Sequence, residues 1–244
     1  MLFSSYIKRR ASKFDKKIEH FENKVESNKA CKKIGVRVPK LNYVLDKVDD
    51  LKKCVLNDNC IIKFNNLACS KGIIMRKNGS FIKYKNIEEV IKYLKIHENQ
   101  KQVGQISIRN IPRKLMVEEL LIPSDKILYD IKCFCFYGKV KYVHIINPEK
   151  RNECFMFDEQ GNRVYIYTRD LAYKHVDFVK PKFYNKIISE ANKVAHHYFK
   201  EYALRIDFYS TYNGPVFGEF TFNPSAGNGL SHEGDTLMGK LLKE

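Results

Sequence analysis

The run RIDFYSTYNGPVFGEFTF, residues 205–222, constrains the fold more than any other part of this sequence. Two alternating segments flank an Asn-Gly pair at 213–214, and this arrangement is the strongest short-range signal of a β-hairpin. A turn centred near residue 213 places Asp207 directly opposite Glu219, because partners across such a turn are equidistant from its centre. The sequence therefore predicts two antiparallel strands whose carboxylates face each other.

Strict alternation gives this hairpin one polar face and one apolar face. The polar face carries Arg205, Asp207, Glu219, Thr221 and Asn223, and the apolar face carries Leu204, Ile206, Phe208, Phe220 and Phe222. Like charges directly opposite each other cost stability. Two interpretations are open: a solvated face on which Arg205 pairs with Asp207, or a divalent cation, Mg²⁺ or Mn²⁺, held between the carboxylates.

Composition limits the class of protein. The chain has 244 residues, of which 44% are hydrophobic and 30% charged, which is typical of a globular protein of one large or two small domains. We find no apolar run of roughly 18 residues and no signal peptide. The seven cysteines show no repeated metal-ligand spacing. We expect a cytoplasmic protein with reduced cysteines.

The net charge of +16 predicts an anionic partner, such as a nucleotide, nucleic acid, membrane surface or acidic glycan. The charge is uneven along the chain. Residues 205–244 hold three basic and five acidic side chains, whereas residues 1–28 hold seven basic and four acidic ones. The facing carboxylates therefore lie in the least basic part of the chain, which favours the cation site over the solvated face.

Hydrophobic periodicity predicts an α+β protein. We expect helices at 5–34, 86–98 and 181–200, strands at 60–66 and 116–123, and hairpins that turn at Asn78-Gly79 and Tyr137-Gly138. The pattern gives a smaller α+β half up to about residue 115 and a larger one after it. A ligand would normally lie in a cleft between two such halves.

Four motifs, in this order along the chain, resemble those of ATP-grasp enzymes: NKACKKIGVRVP (28–39), CIIKF (60–64), VEELL (117–121) and RIDFY…GEFTFNP (205–224). Three of the runs more closely resemble the TupA-like group, which is associated with teichuronopeptide and surface-polysaccharide biosynthesis: VEELL, DIKCFCFYGKVKYV (130–143) and DFY…VFGEFTF. The resemblance covers about residues 28–242.

This resemblance implies an ATP-grasp fold, in which two α+β subdomains with antiparallel sheets grip ATP, with the preceding domain of other ATP-grasp enzymes largely absent. The implied organisation is a basic N-terminal helix (1–28), an N-terminal subdomain with the phosphate-covering loop (29–115) and a C-terminal subdomain with the metal site (116–244).

The resemblance also implies which residues bind the nucleotide. The residues expected to contact the phosphates are Lys29, Lys63, Ser70 and Lys71. Glu118, Glu119 and Leu121 are expected to contact the adenine, and Asp130 is expected to contact the ribose. Lys132 is expected to contact phosphate or the acceptor carboxylate, with a surface ion pair to Asp130 as the alternative.

For catalysis, the resemblance implies that Arg205 stabilises the transferring phosphoryl group together with Lys63 and Lys132. Asp207 and Glu219 match the ligands of Mg²⁺, with Mn²⁺ as the alternative ion. Thr221 stands where the family has an asparagine ligand, so either Thr221 or Asn223 is the third ligand.

The resemblance implies an ADP-producing, carboxylate–amine ligase that forms an acyl phosphate, joining an amine or amino acid to a uronic acid of a surface glycan (capsule, O-antigen or teichuronopeptide). The alternative is a basic module with a degenerate ATP-grasp core that binds nucleic acid or a membrane surface, suggested by the basic helix. A peripheral contact between the basic N-terminal helix and anionic lipid is compatible with the enzyme. His232 is a candidate acceptor contact, whereas the adjacent His196 and His197 cannot share one site.

Overall fold

The computed structural model describes residues 1–67, 71–99, 106–150 and 153–243. The chain forms two compact units. The larger unit comprises Met1–Phe14, Ala30–Val38 and Ile122–Glu244, and the smaller unit comprises Asp15–Lys29 and Pro39–Leu121.

Helices and antiparallel strands make up both units. The α-helices are α1 (Phe3–Ala11), α2 (Lys16–Glu22), α3 (Lys24–Lys33), α4 (Ile87–Glu98), α5 (Ile106–Arg109), α6 (Tyr184–Tyr198) and α7 (His232–Lys240). The strands are β1 (Leu41–Leu45), β2 (Cys60–Phe64), β3 (Ile74–Lys77), β4 (Ser80–Phe81), β5 (Leu115–Glu119), β6 (Asp130–Phe136), β7 (Lys139–Ile146), β8 (Cys154–Asp158), β9 (Arg163–Val164), β10 (Ala203–Thr211) and β11 (Gly214–Thr221). Short 3₁₀ helices span Val48–Lys53, Thr168–Tyr173 and Pro224–Gly227.

The smaller unit is built on a five-stranded antiparallel sheet in the order β1-β5-β2-β3-β4. Helix α4 begins where the side chain of Asn86 accepts a hydrogen bond from the Glu89 N–H, and its apolar stripe is buried against one face of the sheet. Alternate residues of β2 join this core: Cys60, Ile62 and Phe64. The residues between them, including Lys63, therefore lie on the opposite face.

The larger unit is built on a six-stranded antiparallel sheet in the order β11-β10-β6-β7-β8-β9. One face packs against α6, where the ring of Phe199 contacts the rings of Phe220 and Phe222 at centroid distances of 4.9 and 5.5 Å. The predicted apolar face of the hairpin is thereby confirmed, since all five of its residues are buried. On the other face, α1 and α7 pack against β6 through Phe3, Ile7 and Met238.

The hairpin of β10 and β11 turns one residue earlier than the sequence predicts. Thr211 pairs with Gly214, so Tyr212 and Asn213 form the turn, and Gly214 follows it at φ +105°. A β-bulge at Gly218 then shifts the register by one residue. The bulge restores the pairing of Asp207 with Glu219, which the sequence predicted from a turn centred on 213. The turns at 78–79 and 137–138 are confirmed.

The single helix predicted over residues 5–34 is wrong, because two capping residues interrupt it. The Asp15 carboxylate accepts hydrogen bonds from the N–H groups of Lys17 and Ile18, and starts α2. The Asn23 side chain accepts from the Val25 N–H at the start of α3. Residues 1–14 belong to the larger unit and residues 15–29 to the smaller one.

Helix α1 contributes to the core of the larger unit. Phe3 and Ile7 are buried, and the Arg10 guanidinium donates to the carbonyl of Ala203 at 2.5 Å. Within the described ranges, no helix combines the length and the hydrophobicity that a membrane crossing needs. Because Phe3 and Ile7 are buried, the apolar face of α1 packs within the larger unit. The opposite side of the helix carries the exposed Lys8 and Arg9.

Candidate active site

The polar face of β10 and β11 carries the facing carboxylates. Asp207 pairs with Glu219, and Arg205 pairs with Thr221, which confirms the predicted register. The Asp207 side chain is only 3% exposed, whereas that of Glu219 is 34% exposed. The face is therefore not an ordinary solvated one: one carboxylate is buried, and the other lies at its open edge.

Arg205 lies between the two carboxylates. Its Nε and Nη2 donate to Oδ1 and Oδ2 of Asp207 at 2.6 and 2.7 Å, a bidentate pair, and its Nη2 is 3.7 Å from Oε1 of Glu219. Burial by itself would raise the pKa of Asp207, but Arg205 and Lys132 lower it below its usual range. The guanidinium thus supplies the charge that lets two acids face each other.

A second cation completes the cluster from the neighbouring strand. Lys132 of β6 pairs with Asp207 in the sheet register, and its Nζ lies 2.9 Å from Asp207 Oδ2 and 2.6 Å from Asp130 Oδ2. The alternative pairing of Asp130 with Lys132 is therefore present. It is not a surface pair, however, because the Lys132 side chain is only 13% exposed.

Asp130 offers an unsatisfied oxygen to this cluster. Its Oδ1 is buried, and no donor among the described residues reaches it. Burial raises the pKa of Asp130. The positive charge of Lys132 lowers this pKa, and the negative charge of Asp207 raises it further. Among the side chains named here, three carboxylates and two basic groups give a formal excess of one negative charge, and Glu219 has a further contact beyond these. Hard oxygen donors of this kind suit Mg²⁺, so the residues present fit a divalent cation.

The two candidate third ligands are both engaged elsewhere. Thr221 Oγ1 accepts a hydrogen bond from Arg205 Nη2 at 3.0 Å. Asn223 Oδ1 accepts one from Arg10 Nε at 3.1 Å. Sequence analysis missed Arg10, since 213 residues separate it from Asn223 and no local pattern marks such a contact. We infer that the unsatisfied oxygen of Asp130 is better placed to receive a cation than either residue.

The smaller unit carries a second charged pair. Lys63 forms an ion pair with Glu118 Oε1, with both side chains largely buried, and Glu118 Oε2 is buried without a hydrogen bond from the described residues. The register places Glu118 opposite Ile61 and Met116 opposite Lys63, so all four share the face away from the core. The resemblance gave Lys63 and Glu118 separate roles, and the structure brings them together.

Of the other residues assigned to the nucleotide, Asp130 belongs to the larger unit, and Lys29, Lys71, Glu119 and Leu121 belong to the smaller one. Glu119 has its Oε1 bound to the Lys40 N–H at 3.0 Å and lies on the opposite face from Glu118. Lys29 forms an exposed ion pair with Glu26 at 2.8 Å, and Lys71 is exposed. Leu121 follows β5 and is half-buried. Ser70 lies outside the described residues.

The histidines named from the sequence lie on helices of the larger unit. His196 and His197 are exposed on α6 and both line one surface cavity of about 580 Å³, together with Lys139 and Lys193. The expectation that these adjacent residues cannot share one site is therefore wrong. His232 is exposed at the first residue of α7. None of the three contacts the acidic cluster among the hydrogen bonds and ion pairs of the described residues.

A family model described as TupA-like ATP-grasp matches residues 6–243. The chain belongs to the TupA-like ATP-grasp family. The resemblance inferred from the four motifs is thereby confirmed. No curated protein matches the chain.

Solved ATP-grasp structures share the fold. D-alanine-D-alanine ligase from Helicobacter pylori is 16% identical with a TM-score of 0.54, the match covering 92% of this chain and 60% of that one. L-amino acid ligase from Bacillus licheniformis is 11% identical with a TM-score of 0.54, covering 85% and 44%. The biotin carboxylase domain of Hydrogenobacter thermophilus 2-oxoglutarate carboxylase, solved with MgADP, is 16% identical with a TM-score of 0.52, covering 84% and 40%. The chain thus spans less than two thirds of each, and the likeness establishes the α+β ATP-grasp fold.

Proposed function

We propose that this chain is an ATP-dependent carboxylate–amine ligase. The observation that carries the proposal is the cluster of Asp130, Lys132, Arg205, Asp207 and Glu219, found on the sheet face where a member of this family is expected to bind metal and triphosphate. Excess negative charge next to two fixed cations suits a site that must hold a divalent ion and a polyphosphate together.

Each residue of the cluster has a proposed role that follows from its chemistry. Glu219, Asp207 and Asp130 would hold Mg²⁺, or Mn²⁺ in its place, and the ion would neutralise charge on the β- and γ-phosphates. Arg205 presents a planar fork that suits charge on a transferring phosphoryl group. Lys132 is a point charge that can shift from Asp130 towards phosphate or the acceptor carboxylate.

In the proposed reaction, an oxygen of the acceptor carboxylate attacks the γ-phosphorus of ATP, and ADP leaves. The resulting acyl phosphate is attacked at its carbonyl carbon by an amine, which loses a proton as inorganic phosphate departs. Nucleotide binding is proposed for residues of the smaller unit: Lys29, Lys63, Ser70, Lys71, Glu118, Glu119 and Leu121. Lys63 must then leave Glu118 to contact a phosphate. Asp130, which the resemblance assigned to the ribose, is proposed here as a metal ligand instead.

The TupA-like family supports a more specific substrate. We propose that the carboxylate belongs to a uronic acid or similar sugar of a surface polysaccharide, and that the amine is an amino acid or a simple amine. The enzyme would be cytoplasmic, and the exposed Lys8 and Arg9 of α1 would allow a peripheral contact with anionic lipid.

An assay of the parent and of the Glu219→Gln variant tests the reaction. It measures ADP release from MgATP with uronic acids and amino acids added singly and together, and it identifies amide products by mass spectrometry. We expect continued ADP release over many turnovers only when a carboxylate and an amine are both present, because the acyl phosphate must react with the amine before the next cycle. Glu219→Gln should reduce the rate more than about 100-fold, because loss of a direct ligand exceeds the cost of losing an outer-shell partner.

The exposed Glu201 provides a matched control, since Glu201→Gln removes the same charge outside the acidic cluster. Equal rates in Glu219→Gln and the parent would remove the metal assignment. Nucleic-acid binding with a steep salt dependence, and no ADP release with any substrate pair, would favour the alternative binding module.

A further inference from the structure

A second cluster of titratable side chains lies in the larger unit, outside the candidate active site. His144 of β7, Cys154 of β8 and Asp170 of the 3₁₀ helix Thr168–Tyr173 are all fully buried. Their nitrogen, sulfur and oxygen atoms lie within 4.8 Å of one another. His144 Nε2 is 3.1 Å from Asp170 Oδ1, and Cys154 Sγ donates to the same oxygen at 3.2 Å.

Three separate elements fix this geometry. His144 pairs with Met156, and Ile146 pairs with Cys154, so residues 144 and 154 point to the same face from neighbouring strands. Asp170 is held by its own helix, because its Oδ2 accepts from the Tyr167 N–H at 2.9 Å. The ring of Tyr167 stacks on that of His144 at 5.1 Å and 11°. The three side chains therefore converge without freedom to turn away.

Asp170 is the centre of the cluster. Its Oδ1 contacts the imidazole of His144 and the thiol of Cys154, and its Oδ2 accepts from the Tyr167 N–H. Buried charges in proteins are normally paired or coordinate a metal.

We propose that His144, Cys154 and Asp170 bind one divalent cation of the zinc type. An imidazole nitrogen, a thiolate sulfur and a carboxylate oxygen are the three donor types found around Zn²⁺, at about 2.0–2.3 Å. Ligands at such distances from one ion lie some 3–4 Å apart. Two of the spacings here, 3.1 and 3.2 Å, fall in that range, and all three lie within 4.8 Å. A thiolate and a carboxylate together balance the charge of the ion, and a water molecule would take the fourth position.

Binding exchanges protons for the metal. In the metal-free cluster the Cys154 thiol and the imidazole both hydrogen-bond to Asp170 Oδ1. The incoming ion displaces the thiol proton to solvent, since a coordinating thiol is deprotonated by the charge of the metal. The proton on His144 Nε2 moves to Nδ1 of the same ring, so that the neutral imidazole can coordinate through Nε2. Nitrogen and sulfur donors select Zn²⁺ over Mg²⁺. The site is thus chemically distinct from the carboxylates of Asp207 and Glu219, and it does not depend on the proposed ligase activity.

The experiment uses untagged, metal-stripped, reduced full-length chain, titrated with Zn²⁺ and with Co²⁺ as a spectroscopic probe. We expect one ion per chain and, with Co²⁺, a near-ultraviolet thiolate-to-metal charge-transfer band. Cys154→Ser keeps a hydroxyl that donates to Asp170 but loses the thiolate. It should abolish this band and weaken Zn²⁺ binding beyond the roughly 10–100-fold cost of removing an outer-shell partner.

Two controls keep the test decisive. Cys133→Ala alters another buried strand cysteine of the same unit and should retain the band, as should Asp207→Asn. The band in the unmodified chain needs no variant, so misfolding of Cys154→Ser would not remove the test. Absence of the band, or Zn²⁺ binding by a folded Cys154→Ser as tight as that of the parent, would show that the cluster is a hydrogen-bond network alone.

Discussion

The two units solve the problem of buried charge differently. In the larger unit, Arg205 and Lys132 compensate Asp207 within a cluster of three carboxylates. In the smaller unit, Lys63 meets Glu118 in a one-to-one pair. The larger cluster keeps an excess negative charge and can attract a cation, whereas the pair is formally neutral.

This difference changes the interpretation of the facing carboxylates. Asp207 and Glu219 do not by themselves require a metal, because Arg205 already contacts both. The stronger argument for a cation is the remaining charge, together with the unsatisfied Oδ1 of Asp130. The pair of the smaller unit has no such excess, so the proposed binding of phosphate by Lys63 requires that it leave Glu118.

Arg205→Met gives the largest expected effect on stability. It leaves Asp207 buried without its bidentate partner, and removing one member of a buried pair costs about 3–5 kcal/mol of unfolding free energy. Denaturant unfolding measures the change. The double variant Arg205→Met, Asp207→Asn should recover part of the loss, since the stranded charge is gone. A single variant within about 1 kcal/mol of the parent would contradict the proposed compensation.

Ile7→Ala tests whether α1 supports the larger unit rather than serving only as a surface anchor. Ile7 is fully buried, and truncating such a side chain costs about 2–5 kcal/mol of unfolding free energy. Lys8→Ala is the matched control and should change stability by less than about 0.5 kcal/mol, because Lys8 is exposed. Equal, small effects of both changes would show that α1 contributes little to the core.

Lys63→Met tests the ion pair of the smaller unit. Loss of the ammonium leaves the buried carboxylate of Glu118 without its ion-pair partner, which costs about 1–3 kcal/mol of unfolding free energy. Lys29→Met removes an exposed pair worth less than about 1 kcal/mol. If Lys63 binds phosphate, its variant also raises the KM for ATP. A KM equal to that of the parent would restrict Lys63 to a structural role.

The smallest expected effect is a pH dependence that belongs to the larger cluster. The pKa of Asp207 is lowered from its usual value of 3.8, so the stabilisation is present above that value and is lost as the pH falls through the folded-state pKa. A single group changes the unfolding free energy by at most about 1.4 kcal/mol per pH unit. Unfolding of Asp207→Asn should therefore depend less steeply on pH below 3.8. Parallel curves for parent and variant would contradict the lowered pKa.

Local pattern predicted those features that depend on neighbouring residues. Alternation gave the buried face of β10 and β11, and Gly138 marked a turn that the structure contains. The position of the Tyr212–Asn213 turn was missed, because the bulge at Gly218 moves the turn by one residue while keeping Asp207 opposite Glu219. A glycine in a strand does not by itself predict a bulge. The breaks in the N-terminal helix were missed because capping by Asp15 competed with an otherwise continuous apolar stripe.

Contacts between distant parts of the chain were beyond the sequence pattern. Lys132 reaches Asp207 across 75 positions, and Arg10 reaches Asn223 across 213. Such pairs depend on strand order and helix packing, which no periodicity encodes. The same limit hid the convergence of His144, Cys154 and Asp170, whose spacing matches no metal motif.

The claim that Asp207 and Glu219 hold a nucleotide-bound divalent ion is tested most directly with Mn²⁺ and ADP. Electron paramagnetic resonance measures whether Mn²⁺ binds to the protein. The account predicts that the parent and the Glu201→Gln control form a protein-bound Mn²⁺–ADP complex, and that folded Glu219→Gln and Asp207→Asn lose it. Equal binding of Mn²⁺–ADP by all four proteins would contradict the account.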